Sequence, residues 1–168
     1  MKKFLNFFSE SPCYDSVILM INEEAFGPGR FARTAMRLRE QGEHDRQVSF
    51  VCEHDQAIVA SVRMTPIIIS DVKGYMLGPL AVRSSYAKQG IGRKLVQLAV
   101  DSSKENGSEV VLLIGDPAYY KQIGFQQIKE KTLELPGPVN PRKLMFYPLV
   151  ENVSERLKGV VRWRKIDL

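Results

Sequence analysis

The stretch that decides the fold is Leu77-Gly78-Pro79-Leu80-Ala81-Val82, followed five residues later by Lys88-Gln89-Gly90-Ile91-Gly92-Arg93-Lys94 and a helical run through Val96. A strand-like segment leads into a loop with two glycines, and a helix opens at once. Free N–H groups at a helix N-terminus, approached closely through glycine, make an anion cradle. Lys88, Arg93 and Lys94 add positive charge around it. A plain loop-to-helix turn that binds nothing uses the same residues, and the stretch alone leaves both readings open. Two nucleotide loops are excluded by spacing. No G-x-x-x-x-G-K-[ST] string occurs, and Leu95 stands where a dinucleotide fingerprint needs its third glycine.

Outward from this stretch, Ile91, Leu95, Leu98 and Ala99 share one helical face, with Gly107 as the stop. Val110 to Ile114 is a continuous apolar run of strand length, suited to burial on both faces. Asp116-Pro117 then reads as an N-cap with Pro at the first helical position, opening a short helix through Lys121. Phe125 to Ile128 and Lys143 to Val150 are further strand candidates. Upstream, residues 3–8 suit a short first strand. Val17, Ile18, Met20, Ile21 and Ala25 recur at helical spacing between Tyr14 and Phe26, and Gly27-Pro28-Gly29 ends that helix. A charged helix from about Phe31 to Glu40 follows, ended by Gly42. Gln47 to Cys52 and Ala57 to Met64 read as a hairpin around Glu53-His54-Asp55-Gln56. Tyr75 to Val82 is a strand in which Gly78-Pro79 marks a bulge or a splayed edge, because Pro cannot donate to the ladder. The order predicts an α+β (mixed α/β) domain with one βαβ unit.

The chain has 168 residues, enough for one domain with a real core: a core over about 3–150 and a C-terminal extension over 151–168. Apolar residues make up 44% and charged residues 26%, the mix of a globular protein. No apolar run approaches the roughly 20 residues that cross a bilayer, so no membrane partner is expected. Met1 to Phe8 imitates the start of a signal peptide, but Ser9-Glu10-Ser11-Pro12 cuts the apolar stretch short; a cytoplasmic location is expected. The net charge of +5 favours anionic ligands. The densest basic stretch, Arg162-Trp163-Arg164-Lys165, is too short for a nucleic-acid footprint, and no nucleic-acid partner is expected. Cys13 and Cys52 have no CxxC spacing, and His44 and His54 stand apart from other ligand types. Neither a metal site nor a Cys–His nucleophile pair is expected.

The second informative piece is Gly115-Asp116-Pro117-Ala118-Tyr119-Tyr120-Lys121-Gln122-Ile123-Gly124-Phe125, directly after the buried strand. Its tyrosines either pack against the sheet, the common fate of aromatics, or bring a phenol beside the glycine loop. Together the two pieces resemble the GNAT superfamily of N-acetyltransferases, whose cofactor loop reads Q/R-x-x-G-x-G/A and whose Tyr lies four residues before a Gly-Phe pair. Gly90-Ile91-Gly92 and Tyr120…Gly124-Phe125 fit, and the element order fits over about residues 3–150. Leu77-Gly78-Pro79-Leu80-Ala81-Val82 and Gly115-Asp116-Pro117-Ala118-Tyr119-Tyr120 are similar to the bacterial YhbS-like branch. The loop departs from the pattern at Ala87, where the family carries Gln or Arg.

The resemblance implies a GNAT-like fold: a twisted mixed sheet of six to seven strands flanked by helices and splayed at an acyl-CoA site. It implies acetyl-CoA as acyl donor, without a metal. Backbone groups of Leu80, Ala81 and Val82 would pair with the pantetheine arm, and amides from Gln89 through Gly90, Ile91, Gly92 and Arg93 to Lys94, with Lys88 beside them, would hold the pyrophosphate. An amine of a small molecule or protein attacks directly, an N–H near Leu80 serves the oxyanion, and Tyr120 serves as general acid and lies against the cofactor. The family's usual Glu on the strand before the glycine loop is absent, since Lys73 to Val82 contains no carboxylate. Glu24 or Glu23 at the end of the first helix, or a water chain, takes the base role. Arg30 and Arg33 offer attraction for an acidic acceptor. The rival readings are a non-catalytic CoA or acyl-CoA sensor and an acyltransferase using a longer acyl donor presented on acyl carrier protein. The acceptor's identity and the state, monomer or homodimer, are left open.

Overall fold

Alternate side chains of a strand point to opposite faces, and in Val110–Ile114 both faces are packed. Val111 and Leu113 join one apolar cluster, Val110 and Leu112 another. A strand buried on both sides belongs in the middle of a sheet, and that is where it lies. The computed structural model describes residues 4–28, 34–129 and 131–167. The strands are β1 (Asn6–Ser9), β2 (Phe50–His54), β3 (Ala57–Ile69), β4 (Val72–Val82), β5 (Val110–Ile114), β6 (Gln126–Gln127), β7 (Leu133–Glu134), β8 (Leu144–Pro148) and β9 (Gly159–Trp163). The helices are α1 (Asp15–Phe26), α2 (Thr34–Arg39), α3 (Ile91–Glu105) and α4 (Pro117–Lys121). The main path through the sheet runs β1-β2-β3-β4-β5-β8-β6, with β9 pairing Ile67–Ile69 of β3 and β7 pairing β9. The β4–β5 pair, joined through α3, is parallel, and its neighbours in the main path are antiparallel.

α3 buries Ile91, Leu95, Val96, Ala99 and Val100 on the face formed by Met64, Tyr75, Leu77, Val111 and Leu113. On the other face, α1 packs Ile18 and Ile21 against Val51, Ile58 and Ala81, and Leu38 of α2 joins Ile67, Met76 and Leu112. The tail over 151–168 contributes to this second layer: Val153, Leu157 and Val161 are buried there. Its strand, β9, is not among the strands that the sequence predicts. The hairpin turn is tighter than the sequence suggests. Glu53 and His54 stay in β2, and Asp55-Gln56 turn alone, both at positive φ, as a two-residue hairpin loop requires. Gln47 and Val48 lie in a short 3-10 turn before the strand. The expected start of the second helix at Phe31, and Arg30 and Arg33 with it, lie outside the described residues.

The sheet splits at its parallel seam. β4 and β5 pair only at Gly74/Val110, Tyr75/Val111 and Met76/Leu112. A side chain at Gly74 would collide with the Val110 carbonyl, so glycine lets the two strands close at the base of the split. Beyond Met76, β4 continues to Val82 beside β3 alone, while Leu113 and Ile114 pair with β8. The register explains the departure: Val62 faces Leu80 and Met64 faces Leu77, so Arg63 opposes both Gly78 and Pro79. This is the bulge expected at Gly78-Pro79, with Gly78 at φ 128°, and bulges increase local twist.

Candidate functional site

The end of β4 presents an open edge, and its hydrogen bonding fixes which residues serve it. The Arg83 amide donates to the Val59 carbonyl at 2.9 Å. In an antiparallel ladder, alternate residues turn their backbone groups to opposite sides. Arg83 and Ala81 therefore face β3, and Leu80 and Val82 direct their N–H and C=O groups to the open edge. Ala81 differs from its expected role, since its backbone groups face β3 and its side chain is buried with Ile18 and Ile21.

The glycine loop lies beyond this edge. Gly90 caps α3 at φ 80°, and its carbonyl accepts the first helical bond from Lys94 N at 3.0 Å. The amides of Ile91, Gly92 and Arg93 precede any helical acceptor, so they are free for an anion. Lys88 (φ 59°), Gln89 and Gly90 are exposed at the mouth. Ile91 anchors the helix start by burying its side chain. Arg93 is committed elsewhere: its Nη2 donates to the Gln122 carbonyl at 3.0 Å, tying α3 to the end of α4. A Cβ on Gly92 would lie 2.9 Å from the Tyr119 hydroxyl, so glycine is what leaves this passage open.

α4 opens as its sequence predicts, with the Asp116 carboxylate accepting from Ala118 N at 3.0 Å. It sets two tyrosines edge to face, with ring centroids 4.9 Å apart, and the Tyr120 ring meets Phe125 at 5.6 Å. Burial pushes the Tyr120 phenol up to about 12; Tyr119 adds to the rise, Arg39 opposes it and Asp116 adds again. Tyr120 is thus fully protonated near neutrality.

Leu80 and Tyr120 both line a cavity of about 880 Å³, together with Asn22, Arg39, His44 and Arg63. The exposed loop over Lys88–Lys94 lies outside it, as does Val82. Glu23 and Glu24 do not line it either; the Glu24 carboxylate lies 3.6 Å from Arg83 Nε. The Oδ1 of Asn22, buried at the cavity wall, has no hydrogen-bond partner among the described residues. Beside it is an ionic cluster absent from the sequence reading. The fully buried Glu10 carboxylate contacts His44 Nε2 and accepts from Arg63 Nε at 3.0 Å and Arg46 Nη1 at 3.3 Å. Asp15 accepts from Arg46 at 2.8 and 2.9 Å and from Arg63 at 2.7 Å. Burial by itself would raise the Glu10 carboxyl, but the hydrogen bond and charge of His44, with those of Arg63, hold it below its ordinary value. Glu10 and His44 are 34 residues apart, and no local pattern links them.

A parallel pair of strands splayed above a glycine, a helix N-terminus at the mouth of the split and a buried phenol across it define an acyltransferase-type α+β domain. The family model for the acetyltransferase (GNAT) domain matches residues 45–127, from the turn before β2 to β6. The chain is 27% identical over 137 residues to the "uncharacterized N-acetyltransferase YhbS" of Escherichia coli (strain K12), covering 80% of this chain and 81% of that protein. The crystal structure of Escherichia coli YhbS in complex with CoA matches with a TM-score of 0.81 at 24% identity, over 98% of this chain and 92% of that one. A GNAT family acetyltransferase from Brucella melitensis, in complex with acetyl-CoA, matches with a TM-score of 0.59 at 22% identity, over 87% and 97%. Its matches are thus to acetyltransferases of the GNAT family, YhbS among them.

Proposed function

We propose that this protein transfers an acetyl group from acetyl-CoA to an amine by direct attack. The observation that carries the reading is the alignment of three features along one path: the open backbone groups of Leu80 and Val82, the free amides at the start of α3, and the Tyr120 phenol at the same cavity as Leu80. Leu80 and Val82 would hold the pantetheine amides as an added strand. The amides of Ile91 and Gly92 would hold the pyrophosphate, with Lys88 and Lys94 supplying screening charge. Bound acetyl-CoA supplies a thioester whose carbonyl carbon is open to an attacking nitrogen.

The chain's own groups then divide the work. The Leu80 N–H, already turned to the open edge, stabilises negative charge developing on the carbonyl oxygen. Tyr120, held protonated by burial, donates its hydrogen to the departing sulfur. Asn22 Oδ1 accepts from an N–H of the acceptor, which satisfies a buried oxygen otherwise left unpaired. Calorimetric titration with acetyl-CoA and with CoA, followed by a thiol-release screen of primary amines, tests the reading. Saturable binding that weakens when Gly92 is made bulky, with amine-dependent thiol release, is the expected result. Failure of the folded protein to bind either compound overturns it; binding without release under every amine leaves a sensor module.

A further inference from the structure

We infer that His44 is the general base of this site, held for the task by the buried Glu10 carboxylate. The inference rests on the acetyltransferase reading above and fills the role that no residue of β4 or α1 fills. His44 lines the same cavity as Leu80, Asn22 and Tyr120. Its Nε2 contacts Glu10 Oε1, and an ionised carboxylate only accepts, so whenever the imidazole is neutral its proton is on Nε2 and its lone pair on Nδ1. No described residue bonds to Nδ1. This is the orienting relation of a carboxylate behind a histidine, reached here from β1 and a loop 34 residues away.

The surroundings make the placement rigid. Asp45, the next residue, donates its amide to the Met64 carbonyl at 2.8 Å and accepts from the Tyr75 hydroxyl at 2.6 Å. Trp163 of β9 donates Nε1–H to the Glu43 carbonyl at 2.9 Å on the other side. The charged groups facing the imidazole are Glu10 from the end of β1, Arg63 from β3, Arg46 from the following turn, and Asp15 of α1 through both arginines. Glu43 also lines the cavity, but its side chain is solvated and carries no buried partner to orient it. Asp116 spends a carboxylate oxygen capping α4. Glu43 and Asp116 are exposed, whereas His44 is part-buried, oriented by a buried carboxylate and left with a lone pair that no described residue uses.

Nδ1 takes the first proton from the alkylammonium and passes it to solvent, which frees the nitrogen lone pair. That lone pair forms the C–N bond as the C–S bond breaks with its electron pair going to sulfur, which receives the Tyr120 proton. Nδ1 then takes the second nitrogen proton, and solvent relays one back to the Tyr120 oxygen. An alkylammonium and the thioester thus yield amide, thiol and one released proton.

Two small nucleophiles test the assignment without knowledge of the natural acceptor. Methylamine is almost wholly protonated at neutral pH and needs a base; hydroxylamine is unprotonated there and does not. In His44→Gln, acetyl transfer to methylamine at pH 7 is expected to fall about 100-fold or more and to recover as pH rises, while transfer to hydroxylamine holds within a few-fold. The acetyl-CoA affinity measured calorimetrically on the same sample stays unchanged. In the wild-type protein, ¹⁵N spectra of the imidazole at pH 8 should show the proton on Nε2 and none on Nδ1. That measurement stands even if the variant does not fold. Retained methylamine transfer in His44→Gln, equal loss of both nucleophiles, loss on Glu43→Gln instead, or a protonated Nδ1 at pH 8 overturns the base. A wild-type protein that neither binds acetyl-CoA nor releases thiol overturns the acetyltransferase reading itself, which separates the two failures.

Discussion

Replacing Tyr120 by Phe removes one oxygen and leaves the ring. That ring packs edge to face against Tyr119 and Phe125, and the hydroxyl has no protein partner among the described residues, so no buried group is orphaned. The folded protein should therefore lose less than about 1 kcal/mol, visible as a melting temperature that barely moves. Catalysis responds differently. A phenol at about 12 is a weaker acid than a free thiol at about 8.5, so full transfer to a thiolate in water would run uphill by some 3.5 pK units, about 5 kcal/mol. In the proposed step the same burial would raise the sulfur's proton affinity, and the proton would move as the C–S bond breaks. Loss of that donation costs about 100- to 1,000-fold in kcat, or about 2.7 to 4 kcal/mol at 1.36 kcal/mol per decade. Acetyl-CoA affinity stays within about threefold on this account, because the backbone of β4 and α3 holds the cofactor. Because the phenol is pushed up rather than down, no basic limb from Tyr120 is expected below about pH 11. The assay is thiol release under saturating acetyl-CoA, paired with calorimetry, for wild type, Tyr120→Phe and Tyr119→Phe. A kcat within threefold of wild type, or an equal loss of binding and turnover, refutes the acid role; a larger loss in Tyr119→Phe assigns it to the neighbour.

Gly92→Val drives a branched side chain against the Tyr119 hydroxyl, 2.9 Å from the Cβ position, and obstructs the passage between α3 and α4. Acetyl-CoA affinity by calorimetry should fall at least about tenfold, with the melting temperature nearly constant, since the obstructing atom is the mobile end of a side chain. The Glu10 carboxyl is lowered in the folded state, so its contribution to stability is complete above the unfolded value of 4.5 and disappears as pH falls through the folded value. Thermal melts between pH 3 and 7 should show wild type losing stability in that acid window and Glu10→Gln showing a flatter profile from a lower plateau; a parallel profile contradicts the assignment. Val161→Ala, in the buried face of β9, should cost about 2 kcal/mol in denaturant unfolding despite lying in the tail. Trp163→Phe, which loses the bond to the Glu43 carbonyl, should raise the KM for the acceptor more than that for acetyl-CoA, because it loosens the segment carrying His44.

Where a residue's neighbours in sequence are also its neighbours in space, reading the chain sufficed. The boundaries of β5, the Asp116 cap of α4, the glycine cap of α3 and the bulge at Gly78-Pro79 all follow from local backbone chemistry, and each lies where the pattern places it. The exposed glycine turn at the start of α3 and the place of Tyr120 on α4 were legible for the same reason: each sits on an element whose start is written in adjacent residues. β9 was not read, because a five-residue strand in a tail has a partner, β3, about ninety residues earlier, and nothing local names it. The division of labour along Leu80-Ala81-Val82 depended on register: one hydrogen bond, Arg83 to Val59, decides which backbone groups face the split. The polar wall of the cavity, which the proposed function assigns to the acceptor, was not legible in this way. Glu10, Asn22, His44 and Arg63 lie on β1's end, α1, a loop and β3, and each looks ordinary in its own stretch. Their chemistry arises only when the sheet closes and excludes water from the Glu10 carboxylate, which then must be satisfied by His44, Arg46 and Arg63. Short-range order was set by residue type and spacing, whereas the pairing of distant polar groups was set by burial, which is a property of the folded whole.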